Sequence, residues 1–253
     1  MRAAFNSRTG PAREVLSVAE LDTPSAGPGE VRVRVGWSGV NPSDVKTRSG
    51  ARSATLPYPR IVPHSDGAGV IDQVGAGVDG RRIGQSVWVW NAAWGRPDGT
   101  AAELVVLPER QAVPLPAGVP AEAGACLGIP ALTAFHATAM DGGVSGKRVL
   151  VAGGAGAVGH YAVQLARRSG AAQVITTVSG DEKAALARAA GADLVLNYRR
   201  DDPARRLAEA TGGHGVDLSV VGALAATLRN DVAVLAPEGD IEAYGYGTAE
   251  GSV

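Results

Sequence analysis

The chain reads as an α/β protein in which a partly open antiparallel β-barrel precedes a doubly wound parallel sheet. Three observations predict this. Up to about Pro116, short runs with period-two alternation are separated by Gly- and Pro-rich turns; beyond Pro120 a strand, turn and helix pattern repeats; and a glycine cluster, VLVAGGAGAVG at Val149–Gly159, stands where a strand gives way to a helix. At 253 residues two domains are expected. The composition shift divides them as 1–122 and 123–253.

In the first half, VRVRV at Val31–Val35 alternates apolar and basic residues, as a strand with one wet face does. SVWVW at Ser86–Trp90 and AELVVL at Ala102–Leu107 predict further strands, and PSAGPGE, DGRRIGQ and GRPDGT supply the turns before them. In the second half VLVAG leads into a helix through YAVQLARR, QVITTV into DEKAALARAA, and LVLNY into DPARRLAEA; VDLSVV and DIEAYG predict two more strands. The join falls near PAGVPAEAGACLG, where Pro and Ala lead into a helix.

Composition excludes several classes of function. Lys and Arg number 24 against 25 Asp and Glu, without a long single-sign block, so a nucleic-acid partner is not expected. Cys126 is the single cysteine, which rules out an intrachain disulfide and any zinc site built from several thiolates. MRAAFNSRTG lacks the apolar core of a secretory signal, and no apolar run reaches membrane-spanning length. A soluble, cytoplasmic protein without a membrane partner is the expectation.

Gly154, Gly156 and Gly159 satisfy G-x-G-x-x-G between an apolar strand and a helix. The first glycine permits a sharp turn, the second lets backbone approach a pyrophosphate, and the third lets helix pack on strand. Amides at the helix start, at Ala157 and Val158, would face the phosphates. The alternative is a glycine-rich turn without a ligand.

The end of the next strand selects the nucleotide. An NAD enzyme usually carries an acid there, and TTVSG has none. Asp181 and Glu182 follow, but Ser179–Glu182 reads as a capping box serving the helix start. Lys183 lies in the first turn of that helix, where a cation is out of place unless a phosphate is near. Tyr198, with Arg199 beside it, ends the third strand on the same rim. Ser179, Lys183 and Tyr198 together suggest a pocket for the 2′-phosphate of NADP(H); the alternative is a solvated lysine and a packed tyrosine.

With these residues in view, the chain resembles the zinc-free quinone oxidoreductases related to zeta-crystallin, within the medium-chain dehydrogenase/reductase superfamily. GVNPSDVKTRSG at Gly39–Gly50, SDGAGVIDQVGAGV at Ser65–Val78, LGIPALTAFHA at Leu127–Ala137, AGGAGAVGHYAVQLAR at Ala152–Arg167 and NYRRDD at Asn197–Asp202 carry the resemblance. It implies a GroES-like catalytic domain over 1–122 and a Rossmann NADP-binding domain over 123–253 that lacks the usual last strand and the return to the first domain. Relatives continue beyond the position of Val253. The part they add supplies the edge for a homodimer, so that typical assembly is not expected to carry over unchanged.

The resemblance also assigns site residues. Zinc members place a Cys at Asn41, a His at Ser65 and another ligand at Ile129, so no metal is expected here. Asn41 and Lys46 are the candidate catalytic residues: Asn41 bonds a quinone oxygen as charge builds, and Lys46, where many relatives have Tyr, stabilises that oxyanion or supplies a proton, if it is not merely solvated. Pro42, Asp44, Thr133 and His136 are implied to line the nicotinamide and its phosphates, with Gly222, Tyr244 and Gly245 joining the glycine turn as cofactor contacts. His64 replaces a residue that is usually small. The function implied is NADPH-dependent hydride transfer to a quinone. Alternatives are reduction of the double bond of an alkenal or enone, and a non-catalytic, crystallin-like NADPH-binding protein.

Overall fold

The VRVRV alternation lies inside a ten-residue strand. In the computed structural model, which describes residues 1–245, contacts divide the chain into two units, Met1–Ile129 and Pro130–Val253. The strands of the first are β1 (Arg2–Phe5), β2 (Ser17–Glu20), β3 (Glu30–Gly39), β4 (Asp66–Val74), β5 (Ser86–Val89), β6 (Leu104–Pro108) and β7 (Ala112–Pro114). Five form one antiparallel sheet in the order β6-β3-β4-β5-β7, and β1 pairs with β2. Val31 and Val33 on β3 are fully buried against Ile71, Val87, Val89, Val105 and Leu107. Each such side chain contributes roughly 1.5–3 kcal/mol over an exposed one. Between them Arg32 reaches across to β4, its Nε 2.8 Å from Asp72 Oδ1. Gly69 on β4 permits the close pairing: a Cβ there would stand 2.0 Å from Arg34 O.

The second unit carries β8 (Arg148–Val151), β9 (Gln173–Val178), β10 (Leu194–Asn197), β11 (Val216–Val221) and β12 (Leu235–Ala243). All pairings are parallel, in the order β10-β9-β8-β11-β12, the doubly wound arrangement. The helix after β8, Ala157–Arg168, buries Gly159, Ala162, Val163 and Ala166, one face at i, i+3, i+4 and i+7. These small residues seat it against Val149, Val151, Val174 and Val220.

Two local features differ from the sequence expectation. DIEAYG is only the end of β12, which begins at Leu235; pairing with β11 jumps from Val216↔Leu235 to Leu218↔Asp240, the slack absorbed around Glu238, whose φ is 65°. A helix, Leu224–Val234, fills the space before it, with no side chain bonding its first amides. Without cap residues it carries none of the usual start signals. No helix among the described residues is long and apolar enough to cross a membrane.

Candidate functional site

Because the strands of the second unit are parallel, their carboxyl ends share one edge, where ligands of such sheets bind. The glycine turn follows β8, Ser179 follows β9, Tyr198 follows β10, Gly222 follows β11, and Tyr244 and Gly245 follow β12. Gly153 N–H donates to Thr177 Oγ1 at 3.1 Å and Gly154 N–H to Thr177 O at 3.2 Å, which pins the turn on β9. A Cβ on Gly154 would stand 2.1 Å from Thr176 Oγ1, and one on Gly159 would stand 2.3 Å from Gly153 O. Gly156 is different. It caps the helix in extended conformation, is exposed, and has no protein atom nearer than 3.1 Å to its would-be Cβ. Among the described residues no side chain bonds the first helical amides at Ala157 and Val158, so they present partial positive charge at the edge.

The capping box expected over Ser179–Glu182 does not form. The helix Asp181–Ala189 starts after Gly180, which is extended at the cap, so Ser179 lies one residue too early and no side chain caps. Asp181 turns instead to Arg200, with Nη2–Oδ1 at 2.6 Å and Nη1–Oδ2 at 3.3 Å. Lys183 is exposed and has no ion pair among the described residues. Tyr198 is also exposed, and its N–H donates to Val178 O at 3.1 Å, which ties it to the end of β9 beside Ser179. Arg199 N–H caps back to Asn197 Oδ1 at 3.1 Å.

Gly222, Tyr244 and Gly245 come together. Tyr244 lies across Gly222, where a Cβ would meet its ring at 2.6 Å, and Leu224 N–H donates to Gly245 O at 3.1 Å. Burial pushes the Tyr244 phenol up. Thr133 and His136 lie on the helix Leu132–Ala139, Thr133 half-buried and His136 exposed. Glu242 on β12 is pushed up by burial and by Asp141, with the charge of His136 opposing.

In the first unit Asn41 caps the helix Pro42–Ser49, with Pro42 at its first position. Asp44 Oδ2 accepts from Asn41 N–H at 2.8 Å, and burial raises the Asp44 carboxyl against the amides of Asn41 and His64. Asp44 is thus occupied in holding the helix start. Asn41 is buried, and its Nδ2 donates to Asp66 Oδ2 at 2.8 Å. Asp66 is 1% exposed and also accepts from Ile129 N–H at 2.8 Å; its Oδ1 has no partner among the described residues. Burial raises it to about 6. Lys46, half-buried, lies in the last turn of the helix.

Sequence reasoning gave Asp66, Thr176, Thr177 and Arg200 no part in catalysis or in holding the cofactor. The signal for the first three was present: polar residues opening or ending otherwise apolar strands, at DGAGVI and QVITT. A buried polar group must be bonded, so each such residue marks a fixed partner.

The donor set does not suit zinc. Asn41 is committed to Asp66 through its amide nitrogen, Ile129 offers only backbone, and among the described residues no three His, Cys, Asp or Glu side chains gather to hold a metal ion.

The alcohol dehydrogenase GroES-like domain family matches residues 27–117, and the zinc-binding dehydrogenase family matches residues 157–253. The chain is 32% identical over 239 residues to a quinone oxidoreductase of Rattus norvegicus, covering 92% of this chain and 69% of that one. It is 32% identical to a 2-haloacrylate reductase of a Burkholderia species, covering 97% and 73%. Among solved structures, Escherichia coli quinone oxidoreductase complexed with NADPH superposes with a TM-score of 0.85 at 28% identity, over 100% of this chain and 76% of that one. The two-unit architecture, the glycine turn and these likenesses agree: the chain belongs to the medium-chain dehydrogenase/reductase superfamily, alongside its quinone oxidoreductases.

Proposed function

We propose that the chain is an oxidoreductase that binds NADPH and passes its hydride to a quinone without using zinc. The observation that carries the cofactor reading is the open helix start at Gly156–Val158, on one strand edge with Ser179, Lys183 and Tyr198. The helix amides suit a pyrophosphate, and a lysine without an ion pair among the described residues, on one strand edge with a serine and a tyrosine, suits the extra phosphate of NADP(H). Gly222, Tyr244, Gly245, Thr133 and His136 are the further positions proposed to contact the cofactor. Mycobacterial and Escherichia coli relatives were solved as complexes with NADPH, which supports the same choice.

When bound, NADPH supplies the hydride; the protein supplies binding, orientation and electrostatics. Asn41 has one amide N–H on Asp66 and a second left to donate to an acceptor oxygen as charge develops on it. Lys46 offers a further positive charge on the same helix, and Pro42 and Asp44 hold the helix start that presents Asn41.

A second reading, reduction of an electron-poor carbon–carbon double bond, is favoured by the likeness to 2-haloacrylate reductase. NADPH oxidation by the purified chain with p-benzoquinone and with methyl vinyl ketone separates them: faster turnover of the quinone is expected, and a preference for the enone would favour the second reading. Saturable NADPH binding with no turnover of either would make the chain a nucleotide-binding protein.

A further inference from the structure

His64 holds a backbone φ of 78°, a left-handed conformation that favours glycine. The surroundings enforce it. Gly99 N–H donates to Val62 O at 2.8 Å, Ala101 N–H to Pro63 O at 3.1 Å, Thr100 N–H to His64 O at 2.9 Å and Ala92 N–H to Ser65 O at 2.9 Å. Gly99 leaves no slack, since a Cβ there would stand 2.2 Å from His64 O. Strain braced in this way is a mark of a functional position.

The hydroxyls beside the ring decide where its proton sits. Thr100 Oγ1 lies 2.5 Å from the backbone oxygen of Asp66, which can only accept, so the one hydroxyl proton of Thr100 goes there. Toward Ser38 Oγ, at 2.8 Å, Thr100 Oγ1 therefore accepts, which uses the one proton of Ser38. His64 Nδ1, 2.8 Å from Ser38 Oγ, must then be the donor. The neutral ring is the Nδ1–H form, and Nε2 carries a lone pair.

We propose that His64 exchanges a proton with the reduced acceptor through Nε2, its tautomer set by the chain Asp66 O, Thr100, Ser38. This rests on the reading of the protein as an NADPH-dependent reductase. Hydride addition leaves an electron pair on the acceptor oxygen as an anion. The Nε2–H bond of the imidazolium breaks, an O–H bond forms, and the ring returns to its neutral Nδ1–H form, to be recharged by a proton from water. The charge that acts on His64 is that of Asp44, on the helix that Asn41 caps; Arg52 acts on Asp44 in turn, and Asp66 enters through its backbone oxygen, which ends the hydroxyl chain. Burial lowers the imidazole from its ordinary value of 6.5, and Asp44 opposes the shift. The donating form is therefore lost as pH rises through a value below 6.5.

The test compares wild type, His64→Gly and His64→Gln in NADPH oxidation with p-benzoquinone from pH 5 to 8. Wild-type kcat should fall with rising pH. Both variants should lose that dependence and turn over at least about tenfold slower at pH 5.5. Their NADPH affinity should stay within about twofold of wild type, and His64→Gly, relieved of the strained φ, should melt no lower. Nitrogen-15 NMR of the His64 ring should show the Nδ1–H tautomer, redistributed in Ser38→Ala. An active wild type whose His64→Gly variant keeps the same profile, or a neutral ring protonated on Nε2, overturns this inference alone. A wild type that turns over neither a quinone nor an enone overturns the reductase reading and this inference with it.

Discussion

Thr176 Oγ1 occupies the space where a side chain on Gly154 would begin: a Cβ at residue 154 would stand 2.1 Å from that oxygen, which itself donates to Val151 O at 2.6 Å. The first glycine of the turn is thus required by packing, whereas a Cβ on Gly156, in a backbone conformation any residue adopts, would meet only Gly153 O, at 3.1 Å, a contact that a shift of a few tenths of an ångström relieves. Two alanine substitutions should therefore part company. Gly154→Ala should destabilise the second unit by about 1–3 kcal/mol through overpacking. Gly156→Ala should melt within about 1 kcal/mol of wild type yet weaken NADPH at least tenfold, because its methyl would stand between the helix amides and a phosphate. Thermal melts and a fluorescence titration measure both; the reverse order would refute the assignment of Gly156 to the ligand.

Lys183 is a cation in the first helical turn with no ion pair among the described residues, an arrangement the helix dipole opposes until an anion arrives. Removing it should cost the 2′-phosphate a charge-assisted hydrogen bond, roughly 1.5–3 kcal/mol. Lys183→Ala should then weaken NADPH by about 10- to 100-fold and NADH by less than about threefold. Equal losses for the two nucleotides, read by titration, would contradict the phosphate assignment.

The pair Asp181–Arg200 bears on the same specificity from the other direction. Asp181 is an acid at the start of the helix carrying Lys183, and Arg200 neutralises it at 2.6 Å. Arg200→Ala should release a negative charge near the incoming phosphate and weaken NADPH by about two- to fivefold, the scale of an exposed pair. Asp181→Asn in the same chain should restore it, and NADH binding should hardly move. Affinities of the two single variants and the double variant, at low and high salt, complete the cycle.

What was legible in the sequence follows from where the physics is local. The glycine turn, the strand and helix alternation of the second unit and the placement of Ser179, Lys183 and Tyr198 on one edge depend on spacing along the chain, and spacing can be read directly. The helix Leu224–Val234 was hidden because it lacks caps, and the capping box failed because Gly180, not Ser179, takes the cap. Asp66 and Arg200 act through partners 25 and 19 positions away, Asn41 and Asp181, and nothing in the local pattern announces such pairings. That Asn41 and Ile129 both converge on one carboxylate is likewise a fact of folding.

That carboxylate gives the first unit a pH signature. Asp66 is buried, its Oδ1 is unpartnered among the described residues, and Gly128 is kept free of a side chain by it, since a Cβ there would stand 2.0 Å from that oxygen. Burial raises it from 3.8 to about 6 despite the bonds from Ile129 and Asn41. Between those two values the folded chain holds a proton that the unfolded chain has released. Stability from this group is therefore full below about 3.8 and declines as pH rises to about 6, by at most about 3 kcal/mol. Asp44, also raised by burial, acts in the same sense, and His64, lowered by burial, acts in the opposite one; the large Asp66 shift decides the sign. The melting temperature should accordingly be higher at pH 5 than at pH 7.5, where a protein limited by paired carboxylates would be equally or more stable. Asp66→Asn keeps an oxygen able to accept from both Asn41 and Ile129 but cannot ionise, so its melting temperature should vary clearly less over this range, with Asp44 and the opposing His64 setting the remainder. A variant that retains the full wild-type slope would show that the Asp66 carboxyl titrates no higher in the folded chain than in the unfolded one.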